Sequence, residues 1–280
     1  MRAADLHSPF RGVRVPGLPP AELLERCKAY AARLSDGQCF SHDTAAELWG
    51  IPRPGPPASG PTLHVASVGG TRPRLRGVIG HELSGSHLRV AMRHGLPVCD
   101  PVTTWLQLAG SYSLRWLVAA ADHLVLSPLV PDPSDPRPHA RLDVFAKRVR
   151  VFHGRHAERA HEAVDLVREG VESPQETFLR LDLLDYGLPE PLVNHEIRDA
   201  TGRMIAVGDL VYPAYRILVE YDGEQHRTDS WQYRRDIERH DELAEAGWTR
   251  IRVGKDTPRL GPRSAPVRTR LALRRAGYRP

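Results

Sequence analysis

The chain is 280 residues long, carries 39 Lys and Arg against 34 Asp and Glu for a formal charge of +5, and is 41% hydrophobic. That composition excludes a collagen-like, wholly disordered or membrane-spanning chain, and the length accommodates one or two domains with a sizeable core. Cys27, Cys39 and Cys99 are too few and too far apart for a disulfide framework or a CxxC metal site, and read as reduced thiols of a cytoplasmic protein. The opening segment MRAADLHSPFRG lacks the apolar stretch of a secretory signal.

In chain order, 21–34 and 41–50 read as helices, 63–68 and 87–92 as strands. Asp100-Pro101 supplies an N-cap with proline at the first helical position, opening a helix through residue 108, and a further helix spans 113–126. Residues 127–138, SPLVPDPSDPRP, hold five prolines in twelve positions, which forbids a regular helix and favours an extended linker. The domains expected are therefore 1–126, a small α+β domain; 127–170, a proline-rich linker with connecting helices at 140–149 and 156–169; and 171–280.

The last segment is the most orderly. Ser173-Pro174 opens a helix ending near Gly187, and three extended runs, 192–199, 204–211 and 216–222, are joined by turns short enough to make them antiparallel neighbours. A helix over 230–246 stops at Gly247, a strand follows over 248–253, and a final helix covers 265–276.

Charge is segregated along the chain. Residues 1–171 carry 21 basic and 16 acidic side chains, 172–247 carry 8 and 17, and 248–280 carry 10 and 1. An acidic block followed by an Arg-rich tail is either a pair of solvated faces or a cation site beside a polyanion-binding surface. Glu220 and Asp222 are two apart on one strand and share a face, and the short turn at 212–215 brings Asp209 roughly opposite Glu220 or its neighbour. Asp209 interrupts an apolar run, where an acid without a partner is costly. Hard oxygen ligands of this kind suit Mg²⁺ or Mn²⁺.

The pattern D-x10-E-x-D after the helix start ESPQET, followed by GLPEP, VEYDGEQH, a helix with Asp236 and Arg239, and a strand after Gly-Trp, resembles the PD-(D/E)xK nuclease superfamily, in particular its very-short-patch repair endonuclease branch, over 172–253. The resemblance implies an α/β fold with a restriction-endonuclease-like mixed sheet flanked by helices, and metal-dependent phosphodiester hydrolysis in DNA. It implies metal ligands at Asp209 and Glu220, with Glu176 as an auxiliary acid; a first-turn glutamate complementing the helix dipole is the other reading of Glu176. Asp222 stands where the superfamily has lysine, so either Asp222 is a further metal ligand or water-holder, or Gln225 and His226 just beyond the turn take the polar role, His226 being the better candidate for proton transfer.

Arg235 and Arg239 stand a turn apart, either as a solvated salt-bridge pattern or as arms that hold a phosphate. Arg259, Arg263, Arg268, Arg270, Arg274 and Arg275 suit contacts with a nucleic-acid backbone. The order of elements around GQCFSHDTAAELWGIP resembles the winged-helix N-terminal region of proteins related to the abortive-infection type of antitoxin. A catalytically inactive, antitoxin-like DNA-binding regulator is thus the alternative to an endonuclease.

Overall fold

The computed structural model describes residues 6–17, 20–55, 62–85, 87–223 and 230–279, with side chains 230–237 left aside. It divides into two compact units, Met1–Val167 and Arg168–Pro280. Both mix helices and sheets, giving the α/β class expected.

The first unit runs β1 (Leu6–His7), β2 (Val15–Pro16), α1 (Leu23–Ala31), β3 (Gln38–Phe40), α2 (His42–Leu48), β4 (Leu63–Val68), β5 (Val78–Leu83), β6 (Val90–Arg93), β7 (Leu96–Cys99), α3 (Pro101–Leu108), α4 (Leu114–Val125), α5 (Leu142–Arg150) and α6 (Ala157–Asp165). β3 lies between the first two helices in sequence and at the centre of a five-stranded mixed sheet, ordered β5-β4-β3-β7-β6. β6 and β7 form a hairpin whose two turn residues, His94 and Gly95, have φ of +52° and +76°, the conformation a tight two-residue hairpin turn requires.

The second unit begins at Arg168, three residues before the expected 171, but residues 127–167, expected as a linker with connecting helices, belong to the first unit. The reason is packing beyond the prolines. Phe145 on α5 is fully buried edge-on against Trp105, with ring centroids 4.9 Å apart. Arg148 grips the Asp100 carboxylate with both terminal nitrogens, and Asp100 also caps α3 by accepting from the Thr103 amide at 2.9 Å. Within the stretch itself, Arg137 donates to the His123 carbonyl at 2.7 Å and Asp135 pairs with Arg93 and Arg137. The segment is thus an ordered part of the first unit.

The second unit runs α7 (Pro174–Asp185), β8 (Leu192–Arg198), β9 (Met204–Tyr212), β10 (Ile217–Asp222), α8 (Ser230–Glu245), β11 (Thr249–Gly254) and α9 (Ala265–Arg275). Its sheet is ordered β11-β10-β9-β8; β8, β9 and β10 are an antiparallel meander, and β11 returns parallel to β10. Leu179 and Leu183 of α7 and Leu273 of α9 pack with Leu210, Val219 and Ile251. Leu243 of α8 packs with Ala206, Val211 and Leu218. Alternate residues of β10 enter different clusters, so α7 and α9 cover one face of the sheet and α8 the other. Among the described residues no helix is long and apolar enough to cross a membrane.

Candidate functional site

The acids singled out in the sequence lie on α7, β9 and β10 of the second unit, each with a different set of partners. Ser173 caps α7, its hydroxyl accepting from the Glu176 amide at 3.3 Å. Glu176 reaches back in a capping box: one carboxylate oxygen accepts from the Ser173 hydroxyl at 2.8 Å and the other from the Glu172 amide at 3.0 Å. Both of its oxygens therefore serve the helix start, which is the dipole-complementing role, and burial pushes its carboxyl above the ordinary range.

Asp209 on β9 accepts a 2.8 Å hydrogen bond from the Tyr221 amide of β10. Burial, together with the charge of Glu176, pushes its carboxyl up to about 7; the Tyr221 amide and Arg239 act in the opposite sense without prevailing.

Glu220 is the most deeply placed of the three acids, 6% exposed. Arg239 of α8 donates to its Oε1 and Arg250 of β11 to its Oε2. Arg239 also donates to the Val207 carbonyl at 2.7 Å. A guanidinium thus stands where the sequence led us to expect a metal ion, and Arg239 is committed to protein partners instead of extending toward a phosphate. Arg250 went unnoticed in the sequence because it reaches Glu220 from a parallel strand 30 residues away.

Asp222, at the end of β10, pairs with Arg252 on β11. Gln225 and His226 lie outside the described residues, as does the side chain of Arg235. Asp222 and Arg252 open onto a cleft of about 440 Å³ beyond the ends of the parallel pair β10 and β11, where Lys255, Arg263 and Arg268 contribute further positive charge against Asp256. Ligands commonly sit beyond the carboxyl ends of parallel strands. Arg268 is steadied by donating to the Arg252 carbonyl at 2.8 Å. Arg270 lies over the Tyr186 ring, 4.7 Å from its centroid, so its guanidinium covers an aromatic face; Arg274 is exposed at the end of α9.

Comparison with known proteins identifies two relatives. The chain is 31% identical over 117 residues to the uncharacterized proteins MT2308 and Rv2248 of Mycobacterium tuberculosis strains CDC 1551 and H37Rv. The match covers 42% of this chain and 43% of each relative, so the chain spans less than half the length of the relatives it matches. No family model matches, and no solved structure matches.

A second cluster lies in the first unit. Among the described residues, the group of three metal-capable side chains whose ligand atoms all fall within 4.8 Å of one another is His42, His64 and His81. Their irregular separation in sequence gives no ligand-spacing signature. The carboxylates of Glu176, Asp209 and Glu220 do not form such a group.

Proposed function

We propose that residues 168–280 form a DNA-cleaving domain that depends on Mg²⁺ or Mn²⁺. The observation that carries this reading is Asp209, an acid pushed up to about 7 in the middle of a sheet with Glu176 beside it. A carboxyl so placed gains more from a divalent cation than a solvated one does. The donors fit a hard cation by chemistry, with Asp209 as the principal ligand and Glu220 joining when Arg239 yields its place. A bound ion supplies a Lewis acid for the scissile phosphate and lowers the pKa of a bound water.

This chain's own residues supply the rest. Arg252, Lys255, Arg263 and Arg268 hold the nucleic-acid backbone along the cleft by charge, giving affinity without base reading. Asp209 binds a cation only as the carboxylate, so with its carboxyl pushed up to about 7 the affinity for the ion should rise with pH toward neutrality. Arg239 and Arg250 fix the orientation of Glu220 and keep its charge compensated between turnovers.

The test is cleavage of supercoiled plasmid and of mismatched duplex by the full chain with Mg²⁺ or Mn²⁺, beside Asp209→Asn and Glu220→Gln. Metal-dependent nicking that Asp209→Asn removes is the expected result; intact DNA under all metal conditions overturns it.

The double guanidinium clamp on Glu220 favours a second reading, an antitoxin-like DNA-binding regulator in which arginine has taken over the compensation of charge. Under that reading DNA affinity falls steeply with salt and is indifferent both to Mg²⁺ and to Asp209→Asn.

A further inference from the structure

Three imidazoles meet in the first unit from three separate stretches of chain. His64 lies on β4 and His81 on β5; the parallel register sets His64 opposite Ile79 and His81 opposite Ala66, so the two histidines are diagonal neighbours on one face of the sheet. His42 is the first residue of α2, directly after β3, and holds a φ of +48°. That left-handed backbone is strained for a non-glycine residue and delivers the ring to the same face. The His42 and His81 rings stack with centroids 3.7 Å apart, and His64 lies 5.2 Å from His81 and 5.8 Å from His42. All three are half-buried.

Each ring has a distinguishable inner and outer nitrogen. His81 Nε2 and His64 Nδ1 face each other at 3.1 Å. The outer Nε2 of His64 faces the Asp43 carboxylate at 3.9 Å, and the outer Nδ1 of His42 meets the Ser41 hydroxyl at 3.1 Å, which leaves His42 Nε2 for the cluster. Histidines that bind metal usually hand their second nitrogen to a carboxylate, hydroxyl or carbonyl, which fixes tautomer and ring orientation. With no ion bound, one of the facing nitrogens His81 Nε2 and His64 Nδ1 must donate its proton to the other, and a metal ion would take the place of that proton.

We propose that His42 Nε2, His64 Nδ1 and His81 Nε2 form a three-histidine site for one divalent transition-metal ion of the zinc class. Neutral imidazoles select Zn²⁺, Co²⁺ or Ni²⁺ over Mg²⁺ and Ca²⁺, which prefer oxygen. Three protein ligands leave one tetrahedral position for water or an outside ligand, the pattern of a reactive zinc rather than a closed structural one. The nitrogens, now within 4.8 Å, close to tetrahedral spacing by side-chain rotation. The site is independent of the acids in the second unit, and it stands or falls separately from cleavage by that unit.

The test uses the full chain without an affinity tag, stripped of metal and titrated with Zn²⁺ by calorimetry and with Co²⁺ by visible absorption. The expected result is one ion per chain, a tetrahedral Co²⁺ spectrum and no displacement by excess Mg²⁺. His64→Gln and His81→Gln each weaken Zn²⁺ binding by about 100-fold or more, while His240→Gln, at an exposed position on α8, leaves it unchanged. X-ray absorption at the zinc edge of the unaltered protein needs no variant and should count three imidazole nitrogens at about 2.0 Å. A wild-type chain that retains no Zn²⁺, fewer than three imidazoles in that shell, or unchanged affinity in both glutamine variants overturns the proposal.

Discussion

In the first unit burial keeps several histidines neutral, pushing His42 down to about 3, His123 to about 4 and His139 to about 3. In the second unit the group most displaced among the carboxylates is an acid, Asp209, pushed up to about 7 by burial and by Glu176. The displaced groups of the two units therefore respond to protons in opposite senses. The histidines bind protons more weakly folded than unfolded, so the first unit loses stability as pH falls from about 6.5 toward 4. Asp209 binds its proton more tightly folded than unfolded, so the second unit is favoured below about pH 4 and loses that contribution as pH rises through 7. Burial alone does not decide how a domain answers to pH; the sign of the buried group does.

The largest effect that sharpens this contrast concerns where the first unit ends. Phe145→Ala should remove about 4 kcal/mol from the first unit and leave the second unchanged, read by hydrogen exchange resolved to individual elements during urea unfolding. No loss would mean that α5 is not part of that core. Next, Glu220→Ala leaves Arg239 and Arg250 without their shared carboxylate and should cost the second unit about 3 kcal/mol. An unaltered midpoint in urea would show that the clamp contributes nothing in solution.

Asp209→Asn should raise the stability of the second unit by about 2 kcal/mol at pH 8, allowing for partial exposure, and flatten its dependence between pH 4 and 7. The acid lability of the first unit should persist in that variant; if both units change together, the contrast is broken. The smallest effect is electrostatic. Arg263→Ala and Lys255→Ala should each reduce the slope of log affinity against log salt for duplex DNA by about 1, without altering preference among sequences.

The second unit was largely legible in the sequence because its signals are local. Ser173-Pro174 opens α7, short turns force the meander, Gly247 ends α8, and Asp209, Glu220 and Asp222 do lie on β9 and β10. What escaped was the partner of each acid: Glu220's arginines come from a helix and a parallel strand, and no spacing rule announces a register across a crossover. The first unit was harder. β3 has three residues and β5, VIGHEL, has a glycine and no clean alternation, so neither gives a periodic signal, and the strand expected over 87–92 stops short of the His94-Gly95 turn, which leaves β7 unread. Prolines within 127–138 suggested a boundary, because proline reports on backbone conformation and says nothing of the ion pairs that tie a loop down.

The parallel pairing of β10 with β11 has a consequence for the order of assembly. The meander of β8, β9 and β10 closes through short connections, but Glu220 meets Arg250 only after a 30-residue excursion through α8 has been closed. Loop-closure entropy makes such a contact late to form, and an edge strand held by a late contact is among the first to detach. β11 is therefore expected to peel away in sub-global openings that leave the meander paired. Each opening would release one of Glu220's two guanidinium partners, so that the fluctuation of an edge strand sets how often that carboxylate is exposed.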